Sequence, residues 1–308
     1  MTATTGSSPS PHGRSAGLRG PAPEVAVRIA ALGAAFDRDI LLATREIFAA
    51  KTSTEMPPDG RVAADVAYGP DPRQKLDVYA PGGSGRPIVI FVPGGGFVGG
   101  DRRGYQALGA YFARNGFLAI IPDYRLAPAH TWPAGAEDVA RVVDWAADQG
   151  ASHGGDPGVI VVFGQSAGAT HAASALFDET LRPANIAAVR GAVLMNGIHQ
   201  ITAEDRAPNI LQYFGEDPSL YGQRSPVTHA GASRLPLLLM LAEFDPASLA
   251  TGTLDLARAV TLRDGRCPQL VWLPGHNHVS PVFALGTEDD EAGPIILDFM
   301  RQVSDAPR

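Results

Sequence analysis

The sequence predicts an α/β protein: eight strands in a mostly parallel sheet, with helices on both faces. Three observations carry this. Short apolar runs alternate with stretches of helical spacing along most of the chain. Several of the runs, Ile88–Val92 and Val159–Phe163 among them, are apolar without a break, as strands buried on both faces are. Finally, Gly164-Gln-Ser-Ala-Gly168 joins the second of those runs to an Ala-rich helical stretch. Such a turn holds a serine hydroxyl out over the end of a sheet, where a base can reach it and substrate can approach.

The elements follow in order. From Glu24 to Lys51, Val27, Ala31, Ala34, Ala35, Ile40, Leu41, Ile47 and Phe48 recur at helical spacing, which predicts one or two amphipathic helices ahead of the main domain. Val62–Tyr68 and Lys75–Ala80 read as strands separated by the turn-forming Gly69-Pro-Asp-Pro72. Ile88–Val92, Leu118–Pro122, Val159–Phe163, Ala192–Asn196, Leu237–Ala242 and Leu270–Leu273 supply the other strands. Helices are expected near 104–115, 134–149, 167–182, 250–264 and 290–303. Two pieces fall outside the alternation. They are the N-terminal helical segment, residues 24–57, and the mixed stretch 198–233 with Tyr213, Phe214 and Tyr221. Both are expected to form a small cap over a catalytic domain spanning 58–308.

Composition bounds the function. The chain has 308 residues, 45% hydrophobic and 19% charged, which suits one large α/β domain. No apolar run approaches the roughly 20 residues of a membrane span, so no membrane partner is expected. A net charge of −7 argues against nucleic acid, whose binding rests on basic patches. The single cysteine, Cys267, excludes an intrachain disulfide and a Cys-rich zinc site. Residues 1–23 are rich in Ser, Gly, Pro, Thr and Ala and lack an apolar core, which predicts a disordered tail rather than a secretory signal, and a cytoplasmic protein.

By itself the pentapeptide is a weak signal, because any doubly wound fold has strand-to-helix turns with glycines. Its weight comes from what else ends the strands. A serine hydroxyl is a poor nucleophile unless a base takes its proton, a carboxylate orients that base and N–H donors await the oxyanion. Pro93-Gly-Gly-Gly-Phe97 follows the third strand, and its glycines let backbone N–H groups approach a ligand closely. Ala242-Glu-Phe-Asp-Pro246 follows the seventh and offers Asp245, set in a turn by its proline, with Glu243 as a surface or hydrogen-bonding residue. The competing reading of Asp245 is a cap for the next helix. Gly275-His-Asn-His278 follows the eighth strand and offers His276 or His278 as the base. A His-x-His pair can also bind metal, but no carboxylate accompanies it at ligand spacing, so no metal and no cofactor is expected. His171, on the helix after the serine, reads as a packing residue. The chain order Ser…Asp…His is that of one class of serine hydrolases.

With these residues assembled, the chain resembles the α/β-hydrolase superfamily, and more narrowly the hormone-sensitive-lipase-like esterases with a short N-terminal cap. PGGGF at 93–97, DYRLAP at 123–128, GQSAG at 164–168, Asp245-Pro246 and a histidine after the last strand carry the resemblance, which spans residues 62 to 300. It implies that Ser166 attacks the substrate carbonyl, His278 relays the proton and Asp245 orients the imidazole. It also implies that the N–H groups of Gly95, Gly96 and Ala167 form the oxyanion hole. His278 is preferred to His276 because Asn-His-Val-Ser resembles the family's histidine followed by an apolar residue. Where the family usually has His-Gly-Gly-Gly, this chain has Pro93, which restricts the backbone but offers no side-chain hydrogen bond.

The activity so implied is hydrolysis of small to medium carboxylic esters through an acyl-enzyme. Amide, formamide or carbamate hydrolysis by the same groups is the alternative, and a non-catalytic small-molecule receptor is a remoter one. Phe97 is expected to contribute to the substrate pocket. The expected partner is a small-molecule ester or amide, and the resemblance leaves a homodimer open.

Overall fold

The computed structural model of the chain describes residues 18–307. Most of the expected disordered tail, residues 1–17, lies outside the described residues. The part that is described is tied down: Arg19 and Gly20 N–H groups donate to the Glu291 carboxylate at 2.8 and 2.7 Å, and Ala22 N–H to Asp289 at 2.8 Å. Two helices come first, α1 (Pro23–Leu32) and α2 (Arg38–Ala49). Pro23 opens α1 where no N–H is needed, and Asp37 caps α2 by accepting from Ile40 N–H at 2.9 Å.

The eight strands are β1 (Arg61–Ala67), β2 (Lys75–Ala80), β3 (Arg86–Val92), β4 (Leu118–Pro122), β5 (Gly155–Gln165), β6 (Val189–Met195), β7 (Leu237–Phe244) and β8 (Gln269–Asn277). They form one sheet in the order β1-β2-β4-β3-β5-β6-β7-β8. β2 runs antiparallel to both β1 and β4, and the other pairs are parallel. β5 is longer than its apolar run, because Gly164 and Gln165 still pair with Leu194 and Met195 of β6. β8 likewise continues to Asn277, which pairs with Phe244. Backbone pairing thus carries both strands past the point where apolar side chains stop.

The remaining helices are α3 (Gln106–Arg114), α4 (Ala134–Gln149), α5 (Ala167–Phe177), α6 (Pro208–Phe214), α7 (Tyr221–Arg224), α8 (Pro226–His229), α9 (Ala247–Asp264), α10 (Ser280–Ala284) and α11 (Ala292–Asp305). α5 ends before residue 182 because the Asp178 carboxylate turns the chain, accepting from the Thr180 N–H at 2.9 Å and hydroxyl at 2.7 Å. Strand alternation then sorts the core. Ile88, Ile90, Val92, Ile160 and Val162 face the layer containing α4, α5 and α9, while Val89, Phe91, Val161 and Phe163 face α3 and α11. Each such buried side chain stabilises the fold by roughly 1.5–3 kcal/mol.

Two smaller clusters lie outside those layers. Ile201, Ile210, Tyr213, Phe214 and Tyr221 of the 198–233 stretch gather around Phe97 and Ala167. Val25, Ile29, Ile47 and Phe48 of α1 and α2 pack against Ala284 of α10. No helix among the described residues is long and apolar enough to cross a membrane.

Candidate active site

Ser166 sits between β5 and α5 with φ 54° and ψ −126°, a strained conformation for a residue with a side chain. Two features hold it there. Its N–H donates to the Met195 carbonyl at 2.9 Å, and the flanking glycines leave room for the sharp turn. A Cβ on Gly164 would stand 2.5 Å from the Gly168 carbonyl oxygen, and one on Gly168 would stand 2.1 Å from that of Val92. The strand-to-helix crossing is therefore closed by backbone against backbone, and neither position admits alanine.

Three side chains from three strand ends meet at this turn. Ser166 Oγ lies 2.8 Å from His278 Nε2, and His278 Nδ1 lies 2.8 Å from Asp245 Oδ1. Asp245 Oδ2 accepts from the Ala242 N–H at 2.7 Å, which fixes the carboxylate's plane. A carboxylate can only accept, so Nδ1 carries the imidazole proton and Nε2 is left to accept from the serine hydroxyl. Asp245 does not cap a helix, since α9 begins at Ala247 with Pro246 in the cap position. Glu243 instead accepts from the Gly275 N–H at 2.7 Å and braces the end of β8.

His276 is turned away from this line. Its Nδ1 pairs with Ser280 Oγ at 2.8 Å, and burial holds its ring down at about 4, so it stays neutral. Its neighbour Asn277 shapes the turn between the two histidines. Asn277 Oδ1 accepts from the N–H groups of Val279 and Ser280, at 3.2 and 3.0 Å. Two amides absent from the sequence reading clamp the His278 backbone. Asn196 Nδ2 and Gln165 Nε2 both donate to the His278 carbonyl, at 2.8 and 3.2 Å. Asn196 adopts φ 55°, which Asn tolerates better than most residues. Phe36 adds an edge contact to the His278 ring at 4.6 Å between centroids.

The glycine turn after β3 lies opposite. Gly95 and Gly96 have φ 154° and 59°, and a Cβ on Gly95 would stand 2.0 Å from the Gly99 carbonyl oxygen. Among the described residues, no backbone carbonyl accepts from the N–H groups of Gly95, Gly96 or Ala167. The DYRLAP segment holds the turn from behind. Tyr124 hydroxyl donates to the Pro93 carbonyl at 3.0 Å, and Ala127 N–H donates to the Phe97 carbonyl at 3.0 Å. Arg73 bridges the two segments, donating to the Tyr124 and Gly100 carbonyls at 2.9 Å each. Further along, buried Arg102 pairs with Asp77 at 2.9 Å and also with Asp65 and Asp123. None of these ties is visible as a local motif, since each joins residues far apart in the chain.

Ser166, Gly94 and Gly95 line a cavity of about 410 Å³, together with Phe36, Leu41 and Tyr105. Burial pushes the Tyr105 hydroxyl up to about 12, so it remains a neutral hydrogen-bonding group. Phe97, expected to contribute to the substrate pocket, is not among the residues that line this cavity. Its φ is 70°, and its side chain is 0% exposed and stacked on Tyr213 at 4.7 Å. Phe97 thus anchors the 198–233 stretch rather than lining the cavity. His171 packs in the same cluster, edge-on to Phe97 and Tyr124, and burial lowers its pKa to about 3.

Comparison with known proteins gives the family. The sequence profile of the alpha/beta hydrolase fold matches residues 89–264, more than half of the chain. The chain is 29% identical over 249 residues to the esterase LipQ of Mycobacterium tuberculosis, covering 72% of this chain and 58% of that protein. It therefore spans less than two thirds of that relative's length. Among solved structures, a hyperthermophilic esterase from the archaeon Pyrobaculum calidifontis superposes with a TM-score of 0.67 at 25% identity, covering 86% of this chain and 90% of that one. Esterase B from Lactobacillus rhamnosis superposes with a TM-score of 0.72 at 19% identity, covering 91% and 96%, a likeness of fold. By its profile match, its strand order and the placement of the serine turn after β5, the chain belongs to the alpha/beta hydrolase fold family.

Proposed function

We propose that the chain is a carboxylesterase-type serine hydrolase that cleaves esters of small to medium acyl chain through an acyl-enzyme. The observation that carries this reading is the unbroken line from Ser166 Oγ to His278 to Asp245, with 2.8 Å at each step. Ser166 attacks the ester carbonyl while His278 Nε2 takes its proton. The imidazolium so formed is stabilised by Asp245, and His278 then protonates the departing alkoxide. The N–H groups of Gly95, Gly96 and Ala167 stabilise the oxyanion, each donor being worth about 10²–10³ in rate. Water, activated by His278, then releases the acid. Residues 24–57 and 198–233 act as the cap, and 58–308 as the catalytic domain.

The esterase relatives support ester over amide cleavage, and a cavity of about 410 Å³ suits a small molecule. An acyl-chain-length series of chromogenic esters, run beside matched anilides and a Ser166→Ala control, tests the reading. An optimum among short and medium esters, lost in the control, is expected. Faster turnover of the anilides, or activity that survives in Ser166→Ala, overturns it.

A further inference from the structure

The cavity beside Ser166 is lined at one end by charged side chains. Arg45 of α2 and Arg103 both line it, and both also border a second cavity of about 250 Å³ under α2. Gly104 lies between them: it follows Arg103 in sequence, and its carbonyl accepts from Arg45 Nη2 at 3.3 Å. A Cβ on Gly104 would stand 3.4 Å from that same nitrogen, so the Arg45 guanidinium lies against the backbone next to Arg103.

The two arginines differ in their partners. Arg103 shares Asp65, at 3.1 Å, with the buried Arg102, and its own Asp101 lies 3.8 Å away. The Asp101 carboxylate also lines the cavity, where it accepts from the Arg103 N–H at 2.8 Å. Arg45 has no acidic group within ion-pair distance among the described residues. Its guanidinium is held only by a neutral carbonyl, with free donors left in a planar fork that matches a carboxylate. Asp65, Asp77, Asp101 and Asp123 are taken up by Arg73, Arg102 and Arg103, which leaves Arg45 as the unpaired cation at this cavity among the described residues.

We infer that this end of the cavity binds an anionic group of the substrate, and that Arg45, seconded by Arg103, selects esters bearing a carboxylate away from the scissile bond. The inference rests on the esterase reading and names its substrate class. Tyr105 and Phe283, which border both cavities, would flank the chain leading to that carboxylate.

The test compares chromogenic esters in matched pairs on the full chain. One pair carries the anion on the acyl side, the p-nitrophenyl monoester of glutaric acid against p-nitrophenyl pentanoate. The other carries it on the alcohol side, the butyrate ester of 4-hydroxybenzoate against phenyl butyrate. The wild type is expected to favour the anionic member of one pair in kcat/KM by on the order of tenfold, as one or two partly solvated charge-assisted contacts give. The ratio should fall toward one in Arg45→Gln, recover in part in Arg45→Lys, and shrink in high salt. Which pair responds identifies the limb of the ester. No preference for either anion, or a preference that Arg45→Gln and Arg103→Gln leave intact, overturns the assignment while leaving the esterase reading standing. If neutral esters also fail and a fluorophosphonate does not label Ser166, the esterase reading fails and this inference with it.

Discussion

Asn277 Nδ2 donates to the Thr44 hydroxyl at 2.8 Å, and both side chains are buried. This one bond ties the turn before His278 to the middle of α2. α2, whose Leu41 and Arg45 line the cavity, is thereby tied to the segment that carries the imidazole. Thr44→Val removes the acceptor and strands a buried amide N–H, which costs about 1–3 kcal/mol. A lower melting temperature and a lower kcat are expected together, with Thr44→Ser restoring both. If the valine variant loses stability but keeps kcat in full, α2 does not act on the imidazole.

The two histidines of Gly275–His278 separate by their partners. His278→Ala should lower kcat by at least about 10⁴, as loss of a triad member does. His276→Ala removes only the contact with Ser280 and should keep most of the turnover while lowering thermal stability. Steady-state rates of the two variants, set beside their melting curves, decide the matter. A dead His276→Ala with an active His278→Ala would reverse the assignment.

The glycine turn after β3 has no histidine to fasten it. Its first carbonyl, that of Pro93, is held by the Tyr124 hydroxyl at 3.0 Å. Pro93→Gly loosens the backbone, and Tyr124→Phe deletes the hydrogen bond, a net loss of about 0.5–1.5 kcal/mol. Both variants should lose kcat with little change in KM, since the loosened donors matter most when the oxyanion forms. An unchanged kcat in Pro93→Gly would show that the proline does not hold the loop.

Three buried histidines give stability a dependence on acid. Burial lowers His276 to about 4 and both His171 and His199 to about 3, against an ordinary value of 6.5. The unfolded chain therefore binds more protons than the folded one below pH 6.5. Stability is full above that value and falls as pH drops toward 4 and 3, by up to about 1.4 kcal/mol per histidine per pH unit. Neither ring nitrogen of His199 has a partner among the described residues, so His199→Leu should cost little at pH 8 and flatten the acid limb. Melting temperatures measured from pH 8 to pH 5 check this. A leucine variant as acid-sensitive as the wild type would rule His199 out as a contributor.

Much of this architecture is legible in the chain. Ile88–Val92 and Val159–Phe163 announce buried parallel strands because both faces of each are covered, so no polar residue interrupts them. The order of the serine, aspartate and histidine turns is equally open to reading, because each follows a strand directly. Less legible are the groups that hold those turns in place. The reach from Asn196 to His278 spans 82 residues and that from Arg73 to Gly100 spans 27, and neither leaves a local pattern. Phe97 misleads for a related reason. It follows the glycines that face the cavity, but its ring packs on Tyr213, a residue 116 positions away.

From the sequence alone come the eight strands, the turn at Ser166 and the set of residues able to serve it, since strand periodicity and glycine placement are local properties of the chain. The hydrogen bonds that set His278 and His276 apart belong to the tertiary structure, as do the burial of Phe97 and the placing of Arg45 beside the cavity of the serine. Those outcomes depend on which way a side chain leaves its backbone and on what distant segment comes to meet it. Long-range packing decides both, and no short stretch of residues encodes them.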